Sequence, residues 1–371
     1  MKKMKRAVSG LLCAAMTAAM LTGCGAGAAV QEDVTYSTGF SESGYYTNVK
    51  AKKYVTLPED YNEIKVPADA IFELDEEDCM TFLETEYGEK KEITDREAQA
   101  GDYADIHFEG YVDGVSFESG KGEHEKLQLG SGVFIPGFEE QIIGHKKGED
   151  FKIQVTFPAE YGETVTDKGE KINLSGKDVE FHITLNDVYE YELTDKDIQD
   201  AFGTESVMLD GTLVTDIATA KAYFWEKNEL QSKERYITNY LMEKTKVSPD
   251  IPKHLIETRI ALEKKVMDEI AVSEGVKDAD ALAAQSGYVD ADDFIRDNTY
   301  FLVKDIHFQL TLQAVAEEIG YTATPEKVEA AFGGAEEAAS AIETYGKEYV
   351  SAAVLKQDML AYLAYNAVVE D

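Results

Sequence analysis

The chain has 371 residues, 44% of them hydrophobic and 10% aromatic, a composition that supports packed cores. Its 72 Asp and Glu against 36 Lys and Arg give a formal charge of -36, which repels phosphate backbones and argues against nucleic acid as a partner. The length exceeds what one core usually organises, so two or three domains are expected.

The first residues read as a targeting segment. Lys2, Lys3, Lys5 and Arg6 precede an apolar run from Ala7 to Leu21 that is too short for a stable bilayer span. The run ends in Leu21-Thr22-Gly23-Cys24, which resembles a bacterial lipobox. That resemblance implies cleavage after residue 23 and acylation of Cys24; the alternative is an ordinary signal peptide with a chance cysteine. Loss of the leader makes the mature chain about four charges more acidic. Cys13 leaves with the leader and Cys24 carries lipid, so Cys79 has no cysteine to pair with and is expected to pack on a helix. The six histidines lack zinc-ligand spacing, and no phosphate-binding Gly-rich loop occurs, so neither metal nor cofactor is expected.

Residues 24–52 are rich in Gly, Ala, Ser, Thr and Tyr without a period, and read as the lipidated cysteine and a flexible tether. Lys53 to Val66 looks like a short extended segment. Met80, Leu83 and Tyr87 fall at helical spacing. Ahead of them, Asp75-Glu76-Glu77-Asp78 suits a helix N-terminus; calcium binding is the sharper reading, but EF-hand spacing is missing. From Gly101 the period becomes two. "DYADIHFEGYVDG", "EKLQLG", "EDFKIQVTF" and "KDVEFHITLNDVYEYEL" read as strands of a small antiparallel domain, with Asp113-Gly114 as a turn and one helix beginning at Gly137.

After Leu193 the pattern is helical. Thr194 and Asp197 suggest a cap, and long helices are expected over 212–246, from Pro252, over 290–319 up to Gly320, and from Lys347 to the C-terminal region. The lone helix before the strands needs an apolar partner, and the helices after them supply one. The expected divisions are residues 53–95 and 193–371 for a helical domain, with 96–192 inserted as the β domain.

Within the β domain, "LQLGSGVFIPGFEEQIIGHKKGE" and "VTFPAEYGE" resemble the FKBP-type peptidyl-prolyl isomerases, in the form found within trigger factor. The resemblance implies an α+β architecture: an FKBP-like antiparallel sheet wrapped on a short helix, inserted into an all-α chaperone domain of the trigger factor C-terminal, SurA-like type. It also implies a proline pocket. Phe108, Phe117, Glu118, Phe134, Leu174 and Phe181 match its substrate-binding positions. Phe138 matches its floor, the Ile135 N–H its carbonyl donor, and Tyr161 a second donor. Taken as residues alone, the same phenylalanines also fit an ordinary aromatic core. Three departures stand out: Glu118 where the family has Asp, an acidic Glu125, and a longer segment over 162–173.

The flanks resemble trigger factor too, through "YVTLPEDYNEIKV", "ELTDKDIQDAFG" and "VSPDIPKHLIETRIALE". Nothing like that family's ribosome-binding motif precedes residue 53, where the lipobox and tether are expected instead. The implied protein is an FKBP-type isomerase and chaperone, lipid-anchored on the extracytoplasmic face of a bacterial membrane. Its expected partners are unfolded or nascent exported polypeptides with X-Pro bonds, with neither ribosome nor nucleic acid. A holdase with a vestigial isomerase domain and a surface interaction protein are the alternatives.

Overall fold

The computed structural model describes residues 34–203, 208 and 211–370. The leader and Cys24 lie outside the described residues. In chain order the first elements are β1 (Val55–Thr56), β2 (Lys65–Pro67), α1 (Glu76–Tyr87), β3 (Glu89–Glu92), β4 (Tyr103–Val112) and β5 (Val115–Gln128). Then come β6 (Asp150–Thr156), β7 (Glu163–Val165), β8 (Lys171–Asn173) and β9 (Asp178–Glu192). Helices follow: α2 (Asp195–Phe202), α3 (Ile217–Lys244), α4 (Lys253–Ser273), α5 (Ala279–Gln285) and α6 (Ala291–Arg296), with β10 (Lys246–Val247) between α3 and α4. The last are α7 (Thr299–Ile319), α8 (Pro325–Phe332), α9 (Ala335–Tyr345), α10 (Lys347–Asn366) and β11 (Val368–Glu370). Among the described residues no helix is long and apolar enough to cross a membrane.

Two compact units divide the chain. One is continuous, from Leu74 to Glu226, and the other combines the residues up to Glu73 with those from Lys227 onward. The fold is thus α+β, with the sheet-bearing unit inserted in sequence into the helical one.

In the inserted unit the sheet runs β3-β9-β4-β5, and β6 also pairs with β9; every pairing is antiparallel. β4 shows why it forms. Ala104, Ile106, Phe108, Gly110 and Val112 are buried and the residues between them are not, the period of a sheet with one covered face. Asp113 and Gly114 both take positive φ, as a two-residue hairpin of primed type requires. α1 is capped by Asp75, whose side chain accepts from the N–H groups of Glu77 and Asp78. It buries Cys79 and Leu83 against Ile198 of α2, Val214 and Ala220 of α3. α2 begins with the expected capping box between Thr194 and Asp197.

In the helical unit, α3, α7 and α10 share a core with Ile64 and Val66, through residues such as Leu241, Leu312 and Leu355. α7 ends at Gly320, which is left-handed at φ +68°.

Three expectations need correction. The tether does not extend to residue 52: Tyr46, Val49 and Ala51 are buried in a cluster with Leu255, Ile306 and Leu310, because this stretch carries aromatic and branched residues that the helices cover. The helix after Gly137 is only a 3₁₀ turn, Glu139–Gln141, since Gly137 and Gly144 at positive φ leave room for little more. The helix expected over 290–319 is two helices broken at Asp297 and Asn298. The longer segment over 162–173 forms the β7–β8 hairpin.

Candidate functional site

The covered face of the sheet carries a cluster of phenylalanines. Phe108 comes from β4, Phe117 from β5, Phe181 from β9, and Phe138 from the segment between β5 and β6. Phe138 meets Phe181 edge-on with centroids 5.2 Å apart and Phe108 edge-on at 5.7 Å. Edge-to-face pairs of this kind add about 0.5–1.5 kcal/mol beyond the area they bury. Glycines make the space. A Cβ on Gly110 would lie 2.6 Å from the Phe181 ring, and one on Gly120 or Gly122 would collide with Phe117 or Phe108 respectively. The strand backbone is therefore bare where the rings lie against it.

Phe134, Ile135 and Phe138 reach the cluster on a loop shaped by one carboxylate. Glu139 is 3% exposed. Its Oε2 accepts from Gly130 N–H at 2.8 Å and Gly132 N–H at 3.1 Å, and its Oε1 accepts from Phe134 N–H at 2.9 Å. The Ser131 hydroxyl lies 3.4 Å from both oxygens. A buried charge is tolerated here because N–H donors replace its water. The next N–H along, that of Ile135, meets no acceptor among the described residues, while its carbonyl accepts from Phe138 N–H at 3.1 Å. Phe134 lies flat on Phe138, with centroids 4.6 Å apart and planes 16° from parallel. The solvent side of the cluster is therefore Phe134, Ile135 and the exposed Val133.

Tyr161 reaches the cluster through Phe157. It is 51% exposed, and its ring packs edge-on against Phe157 at 4.4 Å. The Ser175 hydroxyl accepts from the Tyr161 N–H at 3.2 Å. The β7–β8 hairpin ties this loop to β5. Thr166 bridges to Phe117, Ser119 Oγ donates to Thr164 Oγ1 at 2.8 Å, and Asp167 takes Lys121 Nζ at 2.6 Å. These contacts seal the cluster at Phe117, which has no exposed surface.

Of the residues read from sequence, Phe108, Phe117, Phe138, Leu174 and Phe181 come together in one core, with Phe134 and Ile135 packed on it. Tyr161 joins through Phe157. Glu118 does not join: it is exposed, and alternation along β5 turns it away from the face that buries Phe117. Cys24 lies outside the described residues. Two residues were missed. Phe157 contacts Phe117, Phe181 and Tyr161. Its position continues the inward alternation Ile153, Val155, Phe157, so strand periodicity could have found it. Glu139 could not be told from Glu140 by any sequence signal.

The arrangement offers an apolar aromatic surface with one open backbone donor at Ile135 and a half-exposed tyrosine at Tyr161. It can bind an apolar group and hold a carbonyl.

Residues 94–186 match the family model described as FKBP-type peptidyl-prolyl cis-trans isomerase, so the inserted unit carries an FKBP-type domain. The similarity to trigger factors covers more residues than that domain alone. It is 42% identical to trigger factor of Streptococcus agalactiae serotype Ia over 140 residues, which are 36% of this chain and 31% of that protein. Identity is 42% over 151 residues with trigger factor of Lactococcus lactis subsp. cremoris, 40% of this chain and 33% of that one. With trigger factor of Shouchella clausii it is 30% over 275 residues, 73% of this chain and 60% of the relative. The chain thus spans about a third of the length of the first two relatives.

Proposed function

We propose that the protein is an FKBP-type peptidyl-prolyl cis-trans isomerase joined to a chaperone for unfolded polypeptides. We further propose that a lipid on Cys24 holds it at the extracytoplasmic face of the bacterial cell membrane, where it assists the folding of exported proteins. The observation that carries the isomerase reading is the open Ile135 N–H beside the Phe108–Phe138–Phe181 cluster, to which the half-exposed Tyr161 is joined through Phe157.

Rotation about an X-Pro bond breaks no covalent bond, so no base or nucleophile is required. The obstacle is amide resonance, a barrier of ~18–20 kcal/mol. Twisting the amide removes that resonance and reduces its charge separation, so an apolar surface favours the twisted form over the planar one. The Ile135 N–H holds the substrate carbonyl and Tyr161 Oη donates a second hydrogen bond. Catalysis is then tighter binding of the twisted amide than of either planar one.

The test is exchange NMR on a Leu-Pro peptide. Tyr161→Ala is expected to slow catalysed exchange severalfold and leave the fold intact, because the side chain is half exposed. A well-folded wild type without catalysis would sink the isomerase reading. Anchoring is tested separately: Cys24→Ser should move the protein from the membrane to the soluble fraction and abolish labelling by fatty acid.

The stacking of Phe134 on Phe138 favours a second reading. A ring of the protein's own covers the Phe138 face, as expected of a holdase whose isomerase domain is vestigial. Binding of a Leu-Pro peptide without catalysis would support it.

A further inference from the structure

The helical unit encloses a cavity of about 510 Å³. The volume lies in the range of pockets that hold a small molecule, roughly 300–1,000 Å³. Tyr46, Leu262, Val266 and Ala352 line it and are buried, so its interior is apolar. Arg235 of α3 lines it and is exposed, and Lys356 of α10 lines it half-buried. The cavity is thus apolar where it is shut from water and cationic where it meets water.

The charges of the lining do not cancel in place. Arg259 takes two carboxylates: its Nη1 donates to Glu263 at 2.7 Å and its Nε to Asp305 at 3.3 Å. Arg235 and Lys356 form no ion pair among the described residues, and Lys356 Nζ has only the Phe308 ring near it, at 5.5 Å from the centroid. The third acid of the lining is Glu234 of α3. Burial pushes its carboxyl above the ordinary range, against the pull of Lys227. Burial therefore favours a proton on Glu234, and with that proton the lining holds one positive charge in excess. The neutral groups do not supply the missing acceptor. Gln231 and Gln357 are exposed amides with a donor and an acceptor each, so they add no bias, and Gln309 Nε2 is a further donor without a partner. Thr238 donates to the Glu234 carbonyl, and the Tyr36 phenol to Glu269. The cavity lacks an anion, in a chain with 72 Asp and Glu against 36 Lys and Arg.

We propose that this cavity binds a small apolar monocarboxylate, an aliphatic acid whose carboxylate is held by Arg235 and Lys356 and whose chain lies against Tyr46, Leu262, Val266 and Ala352. Both cations sit on long side chains that can close on a carboxylate from two helices. A carboxylate brings the one negative charge the lining lacks, whereas a phosphate monoester, at about −1.5 to −2, exceeds it. The net charge of the chain repels anions, so affinity depends on these two groups and not on general attraction. The site is independent of both the isomerase and the chaperone halves of the proposed function.

The test is isothermal titration calorimetry of the full chain with octanoate and with 1-octanol, which has the same chain and a neutral end. Octanoate is expected to bind one to one and at least about tenfold more tightly than the alcohol, because hydrogen bonds to a charged group are the stronger kind. The double variant Arg235→Gln, Lys356→Gln should lose that preference while keeping wild-type affinity for octanol. Its melting temperature should not move, since neither side chain holds an ion pair. Ala353→Trp, which fills the cavity from α10, should abolish binding of both ligands. Equal affinity for octanoate and octanol in the wild type overturns the proposal. So does wild-type affinity for octanoate in the double variant or in a folded Ala353→Trp. Should Ala353→Trp not fold, the double variant decides alone.

Discussion

Replacing Glu139 by Gln tests whether one buried carboxylate sets the geometry of the candidate site. The native carboxylate uses both oxygens: Oε2 serves Gly130 and Gly132, and Oε1 serves Phe134. An amide keeps one oxygen. Placed toward the glycines, it turns its NH₂ against the Phe134 N–H; placed the other way, it orphans two donors. At 3% exposure water has little access to replace it. One orphaned buried donor costs ~1–3 kcal/mol, so about 2 kcal/mol is expected. For a unit the size of Leu74–Glu226 that lowers the melting temperature by roughly 4–8 °C. The orphaned donor adjoins the Ile135 N–H, and small misplacements of a binding group can cost up to about 100-fold. Catalysed X-Pro exchange is therefore expected to fall at least tenfold at a temperature where the variant is fully folded. A melt within about 1 °C of wild type would refute the hydrogen-bond argument. A lowered melt with unchanged exchange would show that the carboxylate stabilises the loop without positioning it.

Other expectations follow from the same contacts. Gly120→Ala drives a Cβ into the Phe117 ring and should cost ~1–3 kcal/mol, seen as a lower melt and altered near-UV aromatic dichroism; an unchanged melt would mean the strand yields easily. Thr194→Ala removes the capping box of α2 at a cost of about 1 kcal/mol, and Thr194→Ser should restore it. Glu234 has a folded carboxyl pKa raised by burial, so the folded state holds that proton more tightly than the unfolded chain does. Its stability contribution is present below the ordinary glutamate range and is lost as pH rises through the raised value. Glu234→Gln should accordingly raise the melting temperature at neutral pH and leave it unchanged in acid. An equal gain at both would contradict burial as the cause.

What the sequence revealed depended on whether one element carried its own signal. β4 alternates strictly, Thr194 and Asp197 cap α2, and Gly320 stops α7, so each was readable from neighbouring residues. β3 was not. Its sequence Glu-Lys-Lys-Glu has no apolar face, and it is a strand only because the far end of β9 offers a free edge. The β7–β8 hairpin was hidden for the same reason: its residues are mostly polar, and contacts with β5 hold it. The break between α6 and α7 falls at Asp297 and Asn298, residue types of low helix propensity. The segment before β1 reads as low-complexity, yet distant helices cover its few large side chains.

The candidate site divides along the same line. Phe108, Phe117, Phe138 and Phe181 are core residues first, each at most 8% exposed, and their mutual contacts hold the covered face of the sheet together. Removing Phe138 would cost ~3–5 kcal/mol in packing alone, so loss of activity in such a variant reports folding as much as chemistry. Ile135 and Tyr161 are different. Ile135 contributes through a main-chain N–H that no neighbour uses, and the Tyr161 ring is half in solvent. Neither group holds much of the core, so packing alone gives little reason for an open main-chain donor at Ile135 or a half-exposed ring at Tyr161. Under the proposed function, substitutions at Ile135 and Tyr161 therefore separate activity from stability, whereas those at the buried phenylalanines change both.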